Sequence, residues 1–219
     1  MHSWMDKAAG ERDPGKPGPV NRGGQAEQVR CRLHRADGDD AVLYVFGSSG
    51  GFGGPAGGLY ERLAVRFQHF GVTSLQVDYR RPGRLRDCVD DVLAGIDYLS
   101  GLRKQRIVLV GHSFGGAVVI RAGIESGPVA AVAALSSQSA GAEDVRSLSP
   151  KPLLLIHGKA DEVLPYTASM FLYAEAREPK ELVLYDGCRH GLDECRELLD
   201  DTMTSWLREV LDLEAVMDG

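Results

Sequence analysis

Two short runs, 107–110 (Ile-Val-Leu-Val) and 153–156 (Leu-Leu-Leu-Ile), are apolar at every position. A strand that is apolar on both faces must be covered on both faces, which is the situation inside a parallel sheet flanked by helices. Further β-like runs at 27–34, 41–46, 73–77, 130–135 and 182–185 alternate with segments of helical period. The clearest of these carries Val89, Val92, Leu93, Ile96 and Leu99 on one stripe, with Asp87, Asp90, Asp91 and Asp97 mostly opposite. Similar segments occupy 59–70, 114–125, 166–176 and 193–213. The pattern predicts an α/β fold with a mostly parallel central sheet and helices on both faces. Only the stretch 136–150 separates the strands at 130–135 and 153–156, so no sizeable lid domain is expected there.

With 219 residues, one domain is expected over 26–219. Residues 1–25 are rich in Gly, Pro and charge and read as a disordered N-terminal tail. The net charge of −6 disfavours nonspecific attraction to nucleic acid or anionic lipid, so neither partner is expected. A local basic cluster, Arg80, Arg81, Arg84 and Arg86, reads as a solvated loop and helix start. No run approaches the roughly 18 to 20 apolar residues of a membrane span, and no apolar signal segment opens the chain. A cytoplasmic location is expected. Cys31, Cys88, Cys188 and Cys195 form no CxxC pair, so they read as reduced structural thiols with neither a zinc site nor a redox motif.

The sharpest motif is Gly111-His112-Ser113-Phe114-Gly115-Gly116, directly after the apolar run 107–110 and before a segment rich in Ala and Val. A serine flanked by glycines between strand and helix is presented on a tight turn, with the helix N-terminus behind it favouring developing negative charge. On these residues the chain resembles the α/β-hydrolase family, from about residue 29 to 213. That family places an acid and then a histidine after later strands. Here His157-Gly158-Lys159-Ala160-Asp161-Glu162-Val163-Leu164-Pro165 is similar to its H-G-x-x-D-x-x-x-P loop, and Asp186-Gly187-Cys188-Arg189-His190-Gly191 to its final loop. The resemblance implies a nucleophile Ser113, an orienting acid Asp161 and a general base His190. It makes His157 a structural histidine of the acid loop. Glu143 and Asp144 are alternative acids.

Two donors are needed for an oxyanion. The backbone N–H of Phe114 is one; the loop Gly47-Ser48-Ser49-Gly50-Gly51-Phe52-Gly53-Gly54 should supply the other, from Ser48 or alternatively Ser49. Family members commonly carry His-Gly where this chain has Phe46-Gly47. The same loop lacks the G-K-[ST] ending of a phosphate-binding loop, and no H-E-x-x-H motif is present, so no metal or cofactor is implied. The short 136–150 segment is like that of compact, capless members such as dienelactone hydrolase-like enzymes and small carboxylesterases. Those dienelactone hydrolases use cysteine where this chain has Ser113. The expected activity is therefore serine hydrolysis of a carboxylic ester or related acyl bond on a small-molecule acyl substrate. An acyltransferase on the same residues and a non-catalytic ligand-binding protein are the alternatives. Oligomeric state is not legible.

Overall fold

The computed structural model describes residues 17–20 and 29–213. Along the chain these form β1 (Pro17–Val20), β2 (Val29–His34), β3 (Asp40–Val45), α1 (Pro55–Gln68), β4 (Thr73–Asp78), α2 (Leu85–Gly101) and β5 (Arg106–His112). They continue through α3 (Phe114–Glu125), β6 (Val129–Leu135), β7 (Leu153–Gly158), α4 (Thr167–Glu175), β8 (Lys180–Tyr185) and α5 (Arg196–Val210). The strands form one eight-stranded sheet in the order β1-β2-β4-β3-β5-β6-β7-β8. β1 and β2 pair antiparallel, as do β2 and β4; all other pairs are parallel. This is the α/β-hydrolase fold, and no large extra domain is present among the described residues.

Strand alternation divides the core. Leu43, Val45, Leu75, Val77, Ile107 and Leu109 pack on one face against α2 and α3. Val42, Tyr44, Val108, Val110, Leu154 and Ile156 point the other way, against α1 and α5. Leu43 lies in register with Leu75 on one side and Leu109 on the other. The continuous apolar runs thus serve two cores at once, each fully buried side chain contributing about 1.5–3 kcal/mol.

Several boundaries differ from the sequence expectation for identifiable reasons. Pro17–Val20, inside the segment expected as a tail, pairs its backbone with the outer edge of β2; the rest of that segment lies outside the described residues. α1 opens with Pro55, but Ala56, Gly57 and Gly58 have φ of 51°, 58° and 97°, so regular helix begins at Leu59, where the periodicity begins. The segment expected as helix from 193 starts as a 3-10 turn, Asp193–Cys195, before α5. Residues 136–150 hold one 3-10 turn, Val145–Leu148, whose Val145 and Leu148 are buried against the core, and no longer helix.

Three arginines of the cluster, Arg80, Arg81 and Arg86, sit on acids. Arg80 pairs with Asp91, buried on α2, and its backbone N–H donates to the same carboxylate at 2.8 Å. Arg86 bridges Asp90 at 2.6 Å and Glu125 at 2.9 Å, tying α2 to α3. Arg81 lies 3.6 Å from Asp87. The cysteines are free thiols. Cys188 and Cys195 neighbour one another in the core, where burial and the second thiol push Cys188 up to about 12.

These contacts rank two substitutions. Leu109→Ala removes a fully buried side chain from the central strand and should lower unfolding free energy by about 2–5 kcal/mol in urea denaturation. Arg86→Ala, on an exposed pair, should change it by less than about 1 kcal/mol.

Candidate active site

The turn from β5 to α3 sets the site. Ser113 stands between them with φ 59° and ψ −124°, a left-handed conformation that costs a non-glycine residue about 1–3 kcal/mol. It is held there by close backbone packing. A side chain at Gly115 would overlap the Phe46 carbonyl oxygen, one at Gly111 would overlap the Gly115 carbonyl, and one at Gly116 would overlap the Ser137 hydroxyl. The Ser113 N–H donates to the Leu135 carbonyl at 2.8 Å, fastening the turn to β6. The serine is thereby placed at the C-terminal edge of the sheet, over the N-terminus of α3.

Strand order brings the partners together. β7 and β8 lie beyond β6 on the same side of β5, and the loops leaving their C-terminal ends carry Asp161 and His190. Ser113 Oγ lies 3.0 Å from His190 Nε2, and His190 Nδ1 lies 2.7 Å from Asp161 Oδ2. With the proton on Nδ1, the imidazole donates to the carboxylate and offers Nε2 to the serine hydroxyl. Asp161 Oδ1 accepts the backbone N–H groups of Val163 and Leu164, each at 2.8 Å. Burial raises the Asp161 pKa, but the donors from Leu164, His190 and Val163 outweigh it and the net direction is down, so the group is ionised at neutral pH. The His190 loop is anchored by a close approach: a side chain at Gly158 would overlap the Cys188 carbonyl.

The glycine-rich loop leaves β3 beside β5, where the strand order reverses, the place where open α/β sheets bind ligands. A methyl group at Gly47 would sit 3.6 Å from Ser113 Cβ and 3.9 Å from its Oγ, so the loop runs directly against the serine. Gly50 N–H donates to the Gly47 carbonyl at 3.0 Å, closing a turn with Ser48 and Ser49 at its centre. Among the described residues, neither the Ser48 nor the Phe114 amide has an internal acceptor. Buried side chains of β4 hold the loop from below: Asp78 accepts from Gly51 N–H at 2.7 Å and Gln76 from Gly53 N–H at 2.8 Å. Tyr60, on α1, donates its hydroxyl to the Val45 carbonyl at 2.8 Å.

Glu143 and Asp144, the alternative acids, lie in the 136–149 segment and serve local turns. Glu143 accepts from Gly141 N–H at 2.9 Å, and Asp144 accepts from the Ser147 hydroxyl at 3.0 Å. The structure joins Asp161, not these two, to His190. Sequence reasoning assigned nothing to His112, Ser169, Gln76 or Asp78. His112 occupied the variable position of the motif, and Asp78 was a carboxylate at a strand's end, which are weak signals. The other two became legible only through packing. His112 is 4% exposed, its Nε2–H donates to the His190 carbonyl at 2.8 Å, and its ring lies 4.8 Å from that of His190. Its Nδ1 is buried without a partner among the described residues. Among the described residues, no group of three or more His, Cys, Asp or Glu is placed to hold a metal ion. None of their helices is long and apolar enough to cross a membrane.

The chain belongs to the alpha/beta hydrolase family, whose model matches residues 44–208. The uncharacterized protein YfhR of Escherichia coli strain K12 is 35% identical over 170 residues, 59% of this chain and 60% of that protein. The chain thus spans about three fifths of this relative's length. Among solved structures, Est1E from Butyrivibrio proteoclasticus is similar with a TM-score of 0.76 at 19% identity, covering 90% of this chain and 99% of its own. A dienelactone hydrolase from Anabaena variabilis is similar with a TM-score of 0.73 at 17% identity, with the same coverage. At those identities the likeness concerns the fold, in agreement with the capless architecture.

His112 generates a pH prediction. Burial, partly opposed by its hydrogen bond to His190, lowers its pKa from 6.5 to about 4. The unfolded chain therefore binds a proton that the folded chain does not between those values. Stability is fully present above about pH 6.5 and is lost as pH falls towards 4, by up to about 3 kcal/mol. Urea midpoints measured across that window should fall in the wild type and fall less steeply in His112→Gln.

Proposed function

We propose that the chain is a serine hydrolase that cleaves a carboxylic ester or related acyl bond through an acyl-enzyme on Ser113. The observation that carries this reading is the unbroken chain Ser113 Oγ, His190 Nε2, His190 Nδ1, Asp161 Oδ2, with separations of 3.0 and 2.7 Å. Family membership and the esterase-like fold of its neighbours support hydrolysis in general.

A serine hydroxyl is a weak nucleophile until a base takes its proton. Ser113 Oγ attacks the acyl carbon while His190 Nε2 accepts the hydroxyl proton, and Asp161 stabilises the imidazolium formed. The tetrahedral oxyanion is received by the N–H groups of Phe114 and Ser48, which need no reorganisation because loop packing already fixes them. His190 then gives its proton to the leaving alcohol, and the bond to it breaks. Water, deprotonated by the same imidazole, attacks the acyl-enzyme; the acyl–Oγ bond then breaks, His190 returns the proton to Ser113 Oγ, and the acid leaves. The open sheet edge over Ser113 favours a substrate that is gripped chiefly at the reacting acyl group. The arginines at 80, 81 and 86 are engaged with acids of α2 and α3, which speaks for neutral rather than anionic esters.

The test is a panel of chromogenic acyl esters of increasing chain length, with labelling by a serine-reactive phosphonate. The wild type should turn over at least one ester and be labelled; Ser113→Ala should do neither. Asp161→Asn, which holds His190 in the wrong tautomer, should lower kcat by about 10³–10⁴-fold. A folded wild type that neither hydrolyses any ester nor takes up the phosphonate would overturn the reading.

A further inference from the structure

Asp161 serves two imidazoles. Its Oδ2 lies 2.7 Å from His190 Nδ1 and also 3.0 Å from His157 Nε2. His157 is fully buried on β7, and its ring is held at both ends. Nε2 faces two acceptors, the Asp161 carboxylate and the Leu164 carbonyl at 3.1 Å, so this nitrogen carries the proton. Nδ1 is then the acceptor, and it receives the hydroxyl of Ser169, buried on α4, at 2.7 Å. The two oxygens of Asp161 thus accept four N–H donors: Val163 and Leu164 on Oδ1, His190 and His157 on Oδ2.

We infer that Ser169 and His157 form a positioning relay behind Asp161, which fixes the carboxylate against His190 and moderates how strongly it favours the protonated base. This rests on the serine-hydrolase reading. The sign follows from sharing one oxygen. An N–H donated to Oδ2 withdraws negative charge from the atom that His190 uses, so the imidazolium is stabilised less than by a carboxylate with one histidine. Burial lowers the His157 pKa and keeps the ring neutral, so it acts as a donor and not as a second cation. The other polar groups around the pair are accounted for. From β5, His112 faces His190 as a neutral ring. On the histidine loop, Arg189 lies 3.7 Å from Glu194. On the acid loop, Lys159 pairs with Asp186 at 2.8 Å.

A histidine that merely filled space would leave the base untouched, and that difference is measurable. His157→Leu removes the donor, His157→Gln keeps an N–H near the place of Nε2, and Ser169→Ala removes the hydroxyl that fixes the tautomer. For each, kcat and KM for a neutral ester are measured against pH, with thermal melting and phosphonate labelling alongside. His157→Leu should move the acidic limb of kcat/KM upward by about half a unit to one unit. It should lower kcat by about 10- to 100-fold, with KM little changed because His157 does not touch the serine. His157→Gln should return most of both, and Ser169→Ala should shift the limb in the same direction by less. An unmoved acidic limb in folded, labelled His157→Leu and Ser169→Ala would overturn the relay while leaving the hydrolase reading intact. Activity losses that only follow the melting temperature would overturn it equally. Failure of the wild type to label would instead remove the hydrolase reading on which the relay depends.

Discussion

Everything functional in this molecule depends on one close backbone approach, where the first turn of α3 meets the end of β3. Gly115 seats against the Phe46 carbonyl, and Gly111 clears the Gly115 carbonyl in turn. With no side chains in the way, α3 can begin immediately after β5, and the intervening Ser113 is forced into a left-handed conformation. A strained serine on the rim of a rigid sheet is a preorganised one, because the surrounding packing and not the residue's own preference decides where its hydroxyl sits. The same approach draws the glycine-rich loop after β3 against the serine, so Ser113 and the amides of Ser48 and Phe114 share a single origin.

The remaining parts of the site hang on different elements and are brought to register by the sheet. Parallel pairing from β3 to β8 places the loops carrying Asp161 and His190 at the same edge as Ser113. Each loop is then fastened by a contact that belongs to another. His112, on the serine's strand, holds the His190 carbonyl; Gly158, on the acid's strand, packs against the Cys188 carbonyl; Ser169, on α4, holds the histidine that holds Asp161. Such cross-fastening holds short polar loops in place by contacts from several elements at once.

Charge is arranged with the same economy. The acidic flank of α2 accepts Arg80 and Arg81 from the segment before it, and the Asp161 carboxylate accepts four N–H donors. Burial alone would favour a protonated Asp161; the donors reverse that, which is the usual way a protein keeps an ionised acid inside.

Much of this was legible in the chain itself. Apolar runs of four residues must be covered on every side, and their shortness and alternation with helical-period segments make them strands inside a sheet, with the stripe from Val89 to Leu99 a helix laid on them. Glycines around Ser113, and polar residues clustered just past two later strands, marked the candidate site. The acid-loop motif singled out Asp161 over Glu143 and Asp144, but periodicity and composition do not separate the three, since all follow strands; the sheet order is what puts the first beside His190. Local sequence could not reveal the antiparallel pairing of Pro17–Val20, a short segment with two prolines that pairs only at an open sheet edge and carries no apolar alternation to announce it. The duties of His112 and Ser169 were equally hidden, since a hydrogen bond between residues distant in the chain leaves no periodicity behind; the acid-loop motif marked His157 as structural without showing its partners. Pattern records which surfaces must be buried; only the tertiary structure decides which polar atoms are left facing one another once they are.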